Sequence, residues 1–205
     1  MKHALTLAAA AALGALSAGA TAQAATISGG ITDVTVTADL AGLGLGGAPF
    51  GSASVTPPAT FMFPITGGTV DDDTGAAIIE HEGSGVTLAT LDDTDDVEVT
   101  VGNFVIDTGL ATVFGDVIGG PEGLDLFAFS DDDLDFADGI DLDITGTLAG
   151  ALTSVFGAPD LTGAQFGVAV TSPELAPIPL PASAWMLLAG LGGMGVMARR
   201  RRKAA

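Results

Sequence analysis

The sequence predicts an all-β protein: an antiparallel β-sandwich or jelly-roll-like body with one short helix, followed by a single C-terminal transmembrane helix. Three observations predict it. Apolar residues alternate with Thr, Asp or Gly at period 2 through most of the chain, as strands with one wet face require. Eight or more such runs, rich in β-branched residues, are separated by Gly, Pro and Asp turns, and no strand-helix-strand rhythm competes with them. One uncharged run near the C-terminus is followed at once by a basic cluster.

Taken in order, Met1-Lys2-His3 supplies a short basic region and Ala4 to Ala20 an apolar one. Ala22-Gln23-Ala24 is a small-x-small cleavage site, so residues 1–24 read as a secretory signal peptide, removed so that the mature chain starts near Ala25. Residues 25–170 form the body, 171–177 a linker and 178–205 a tail. The chain has no Cys, so in an oxidising space its stability has to come from an ordinary core rather than disulfides.

Within the body, Ile31 to Thr37 alternates as a strand, and the five glycines between Gly42 and Gly51 read as a loop. Ser52 to Val55 and Thr60 to Ile65 are strand candidates split by Pro57-Pro58, with Pro64 placing the second at an edge or a bulge. Gly67-Gly68 and Asp71 to Gly75 read as turns. Ala76 to Glu80 and Gly85 to Leu91 are strands flanking a hairpin turn at His81-Glu82-Gly83-Ser84. Val97 to Val101 leads through Gly102-Asn103 to Phe104-Val105-Ile106-Asp107, and a turn at Thr108-Gly109 joins it to the strand Ala111 to Val117. Leu124 to Phe129 and Ile140 to Thr145 continue the alternation. Ile144, Leu148, Leu152 and Phe156 then recur every four residues, which predicts a helix from about Leu148 to Phe156, stopped by Gly157 and Pro159. Phe166 to Val170 is the last strand before the linker.

Charge is divided unevenly along the chain. All six Lys and Arg lie at its ends (Lys2, Arg199 to Arg202, Lys203), while all 25 Asp and Glu lie between Asp33 and Glu174. With no cation to neutralise phosphates, the body is excluded as a partner of nucleic acid or of anionic lipid headgroups. Salt bridges inside it are impossible except through His81, so its carboxylates must be dispersed, screened or bound to cations. Trypsin finds no cleavage residue between Lys2 and Arg199.

The tail has three parts in a fixed order: Pro179-Leu180-Pro181-Ala182-Ser183, an uncharged run from Ala182 to Ala198, and Arg199-Arg200-Arg201-Arg202-Lys203. As a helix the run covers roughly 25 Å, enough to cross a bilayer core with snorkelling at its ends. The cations stop transfer and hold the C-terminus in the cytoplasm. Together these segments resemble the VPLPA variant of the PEP-CTERM sorting tail, with Ile178 where that family has Val. The resemblance implies export, a single-pass intermediate in the inner membrane, and recognition and cleavage near the Pro-Leu-Pro-Ala element by an exosortase-type sorting peptidase. It also implies release to or attachment at the cell surface, often alongside exopolysaccharide, and no enzymatic activity for the part being carried.

Four groups of residues bear on chemistry. Asp107-Thr108-Gly109, after Val105-Ile106, resembles the catalytic turn of aspartic proteases, but that mechanism needs two carboxylates sharing a proton. The chain has no second such turn, and Leu110 stands where that family has Ser or Ala. Asp131, Asp133, Asp135 and Asp138 place acidic groups near alternate positions, a pattern suited to a hard cation such as calcium. An EF-hand is excluded by the missing Gly and Glu at its sixth and twelfth positions, and a solvated acidic turn is the plainer reading. If calcium binds there, millimolar calcium raises the thermal midpoint and EDTA lowers it. His81 reads as a surface hairpin residue. The single Trp185 lies in the anchor and there is no Tyr, so the stacking residues on which sugar clefts rely are missing.

The expected function is that of an exported, surface-sorted structural or adhesive protein, associated with extracellular matrix or exopolysaccharide and not an enzyme. The alternatives are a carboxylate-based hydrolase, of glycosidase or aspartic-protease type, and a calcium-dependent binding module.

Overall fold

The computed structural model describes residues 24–71, 73–91, 97–130 and 139–177. In chain order these form β1 (Ala25–Val36), a 3-10 turn (Ala41–Leu43), β2 (Leu45–Gly51), β3 (Ser54–Thr56), β4 (Thr60–Pro64), β5 (Gly67–Val70) and β6 (Ala77–Thr90). There follow β7 (Glu98–Asp107), β8 (Thr112–Val117), β9 (Leu124–Ala128), β10 (Ile140–Ile144), α1 (Gly146–Phe156) and β11 (Gln165–Leu175). The all-β expectation with one short helix holds. Thr145 caps α1 by accepting from the Leu148 N–H, and Gly157 ends it in the left-handed conformation.

The hydrogen bonding makes one eleven-stranded antiparallel sheet where a sandwich has two, and the sheet returns on itself. β1 is bonded on one edge to β11 and on the other to β4 and β5. From β11 the pairing runs through β10, β9, β8, β7 and β6 to β5 and back to β1, which closes a barrel. Over part of its girth the barrel is incomplete. β5 bonds the first residues of β6, 77–80, whereas β2 bonds residues 84–90 further along. On the facing side, β4 bonds residues 31–35 of β1 and carries β3 on its other edge. Among the described residues no backbone pairing joins β2 to β4.

Several sequence expectations are corrected by this arrangement. Residues 81–84 are not a hairpin: β6 runs through them and stays paired with β7, with a bulge between His81 and Gly85. The bulge changes which residues face inward. Ala77, Ile79 and His81 are buried before it, Ser84 and Leu88 after it, and Gly83 supplies a φ of 73°. The glycine-rich stretch is not all loop, because strand pairing uses the backbone and β2 needs no side chains to bond β6. Gly67-Gly68 belongs to β5 rather than a turn. The linker is also shorter than its composition suggests, since β11 extends to Leu175 and pairs residue by residue with β1.

β1 carries a bulge of its own. Gly30 sits at φ 121° opposite Pro173, and a Cβ there would stand 2.2 Å from the Ser172 carbonyl oxygen, so only glycine fits. Beyond it Thr32 points inward and is 2% exposed, while Ile31 is turned out.

Candidate functional site

The inner face of the barrel is built by strand alternation: Phe61 and Phe63 from β4, His81 from β6, Phe104 and Ile106 from β7, and Val113 from β8 all turn inward. Phe63 and Phe104 meet edge to face with centroids 5.2 Å apart, and Phe61 stacks on Phe63 at 6.4 Å. Between these strands and the β1–β11 side lies a cavity of ≈ 70 Å³, measured as the space open to the centre of a water-sized sphere. Among the described residues none that lines it is acidic, although the body around it carries every Asp and Glu of the chain.

His81 is the titratable residue in that lining and is 2% exposed, which corrects the expectation of a surface position. Its Nδ1 lies 3.1 Å from the Phe104 carbonyl oxygen, which can only accept, so Nδ1 carries the proton. In the neutral ring Nε2 is then the acceptor, and it lies 2.8 Å from the Thr32 hydroxyl. Thr32 Oγ1 in turn lies 3.2 Å from Thr171 Oγ1, which ties β6, β1 and β11 together through side chains. Burial in apolar surroundings pushes His81 down to about 4, opposed by the Phe104 carbonyl. At neutral pH this imidazole is uncharged with both nitrogens engaged.

The sequence signal that would have found it is parity. Continuing the alternation of Ala77 and Ile79 by one more step puts His81 inside. The same parity, stepped back from Val36 and Val34, puts Thr32 inside.

Asp107-Thr108-Gly109 is the turn between β7 and β8. Asp107 Oδ1 accepts from the N–H groups of Gly109 and Leu110 at 2.9 and 3.0 Å, and Thr108 Oγ1 accepts from the Ala77 N–H at 2.7 Å. These are the bonds of a turn-forming Asx residue locked to the next strand. Asp71 behaves likewise, accepting from the N–H groups of Thr74 and Asp73, and those bonds, Thr74 first, hold its carboxyl below the usual range. A second polar chain escaped sequence reasoning: Asn103 Oδ1 accepts from the Gly83 N–H while its amide donates to Asp116, whose other oxygen accepts from the Gly123 N–H. It links the bulges of β6 and β7 to β8.

Among the described residues no three His, Cys, Asp or Glu gather as a metal-ligand group, and no helix is long and apolar enough to cross a membrane. The calcium candidates Asp131, Asp133, Asp135 and Asp138 lie outside the described residues. So do the cleavage residues Ala22 and Ala24, the motif Pro179 to Ser183, the anchor and the cluster Arg199 to Lys203.

No curated protein matches the chain. Among solved structures it is similar to the heme binding protein HtaB from Corynebacterium glutamicum, with 12% identity over 76% of this chain and 98% of that one, at a TM-score of 0.44. Residues 177–202 match the family model of the PEP-CTERM protein-sorting motif, so the segment that follows the barrel is the sorting tail of an exported, surface-sorted protein.

Proposed function

We propose that the barrel is the cargo of this tail: a structural or adhesive body, processed by an exosortase-type peptidase and displayed at the cell surface, where it contacts matrix or exopolysaccharide. The observation that carries the reading is the sorting motif, which begins at residue 177, two positions after β11 ends at Leu175. The start of the mature body leaves from the same place. Ile27 pairs with Leu175, and the Ala176 N–H donates to the Thr26 carbonyl at 2.8 Å. The tail therefore departs from the end of the barrel where β1 begins and leaves the other end free to meet a partner.

A role without covalent chemistry is supported by how the reactive side chains are used. Both nitrogens of His81 are occupied within the wall, and Asp107 Oδ1 is committed to its turn. A hydrolase of the two-carboxylate kind needs a pair about 5 to 10 Å apart in a cleft, and among the described residues the cavity lining holds no carboxylate.

The test is the mass and location of the protein in cells, with and without replacement of Pro179, Leu180 and Pro181. The native chain is expected to appear shortened and away from the inner membrane, and the replaced chain to stay long and membrane-bound. Full-length, membrane-bound protein in both strains overturns the sorting reading and leaves a plain anchor.

A further inference from the structure

We propose that the barrel cavity is a binding site for one uncharged, apolar molecule of the size of a short alkane, entered through the gap between β2 and β3. The inference does not depend on the sorting reading. Its first ground is space. A single water needs roughly 10 to 15 Å³ on this measure, and an apolar cavity of about 150 Å³ is known to take benzene or xenon. The ≈ 70 Å³ here exceeds the space for one water and is about half of that cavity, so it suits an occupant smaller than an aromatic ring.

The second ground is access. Inward-facing Val34, Val36, Val86 and Val101 are only half-buried, whereas Ile27 and Ile79, on the same face toward the other end, are 2% and 0% exposed. Solvent therefore reaches the inner face at one end. The described break in the hydrogen-bonded wall lies beside those residues, between β2 and β3, which takes up the other edge of β4. Gly47 of β2 forms one lip; a Cβ on it would stand 3.3 Å from the tip of the Phe61 ring and 3.6 Å from Val86. No ladder of backbone bonds joins β2 to β3 along this gap, which is closed at one end by the turn in which the Ala53 N–H donates to the Phe50 carbonyl.

The third ground is chemistry. The polar side chains in the lining, Thr32 and His81, are bonded to each other, and His81 also to the Phe104 carbonyl. An ion or a strongly polar molecule would leave its own groups unsatisfied inside, which is costly. An apolar occupant leaves nothing unpaired and gains contact with Phe61, Phe104 and the valines.

The probe is propane, added to methyl-labelled protein in the form that cells export and followed by NMR. The methyls of Val34, Val86 and Ile106 are expected to shift and saturate below the solubility limit, while those of exposed Ile78, Leu110 and Leu175 stay in place. The thermal midpoint should rise by about 2–4 °C at several-fold saturation. Xenon should move the same methyls. Val86→Phe fills the mouth and should abolish the shifts; Val34→Leu, a smaller change, should weaken them if the first variant does not fold. Unmoved lining methyls in the native protein, shifts spread equally to the exposed methyls, or shifts that persist in the folded filled variant would each overturn the proposal.

Discussion

The two ends of the barrel are built from the same strands and end up differently. At the end where β1 begins and β11 finishes, β5 completes the hydrogen-bonded ring, and Ile27, Ile79 and Ala77 fill the interior at 2%, 0% and 6% exposure. At the other end the 3-10 turn, β2 and α1 surround the opening. α1 covers the part beside β7 to β9 with buried Leu148 and Leu152, but the β1 and β2 side stays hollow between half-buried valines. The difference teaches that inward alternation alone does not make a core. Filling follows where backbone pairing holds the strands at fixed spacing and the inward residues are long enough to meet; between β2 and β3 the first condition is not met.

The comparison breaks most directly on paired truncations. Ile79→Ala at the filled end should cost about 4 kcal/mol, because transfer and cavity terms add where nothing can relax. Val34→Ala at the hollow end should cost only ~1 kcal/mol, since its side chain is already partly wet. Urea unfolding measures both, and equal losses would mean the two ends are equally packed.

Next in size is the pH response of His81, which sits between the two ends. Its folded value of about 4 lies below the ordinary value of 6.5, so the unfolded chain takes up a proton first as pH falls. Stability should be full above about pH 6.5 and decline toward pH 4, by roughly 3 kcal/mol. Protonation of the carboxylates pulls the other way by relieving repulsion, so the quantity to measure is the difference between the native protein and His81→Gln, which carries no charge at any pH. Parallel curves for the two would mean that His81 is solvated.

Gly85→Ala probes where the bulged strands touch. A Cβ at Gly85 would stand 2.2 Å from the Val101 carbonyl oxygen, so β6 and β7 would have to separate, at a cost of about 2 kcal/mol or more by thermal denaturation. The smallest effect is expected from salt. With no Lys or Arg in the body, raising sodium chloride from low to moderate concentration should screen the carboxylates and lift the midpoint by about 3 °C. Calcium at matched ionic strength then separates simple screening from a bound cation in the Asp131 to Asp138 stretch.

Much of the architecture was legible in the chain. Val97 to Asp107 and Ala111 to Val117 alternate cleanly and fold as β7 and β8 around the Thr108-Gly109 turn, and the spacing of Leu148, Leu152 and Phe156 marks α1. The candidate site was legible only in part. Phe61, Phe63 and Phe104 are ordinary inward residues and Thr32 shares the parity of Val34 and Val36, but the outward turn of Ile31 follows from the β1 bulge, and the placing of His81 from a strand that continues where Glu82-Gly83 suggests a turn.

The sequence by itself determined the class of fold, the separation of acidic body from basic tail, and the sorting motif, because periodicity, charge and short motifs are local properties of neighbouring residues. The tertiary structure alone decided that the sheet closes into one barrel, that β11 runs through the supposed linker to tie down β1, and that one end stays hollow. Each of these rests on pairing between distant segments, such as Ile27 with Leu175, whose register is set by bulges and by what the far strand presents.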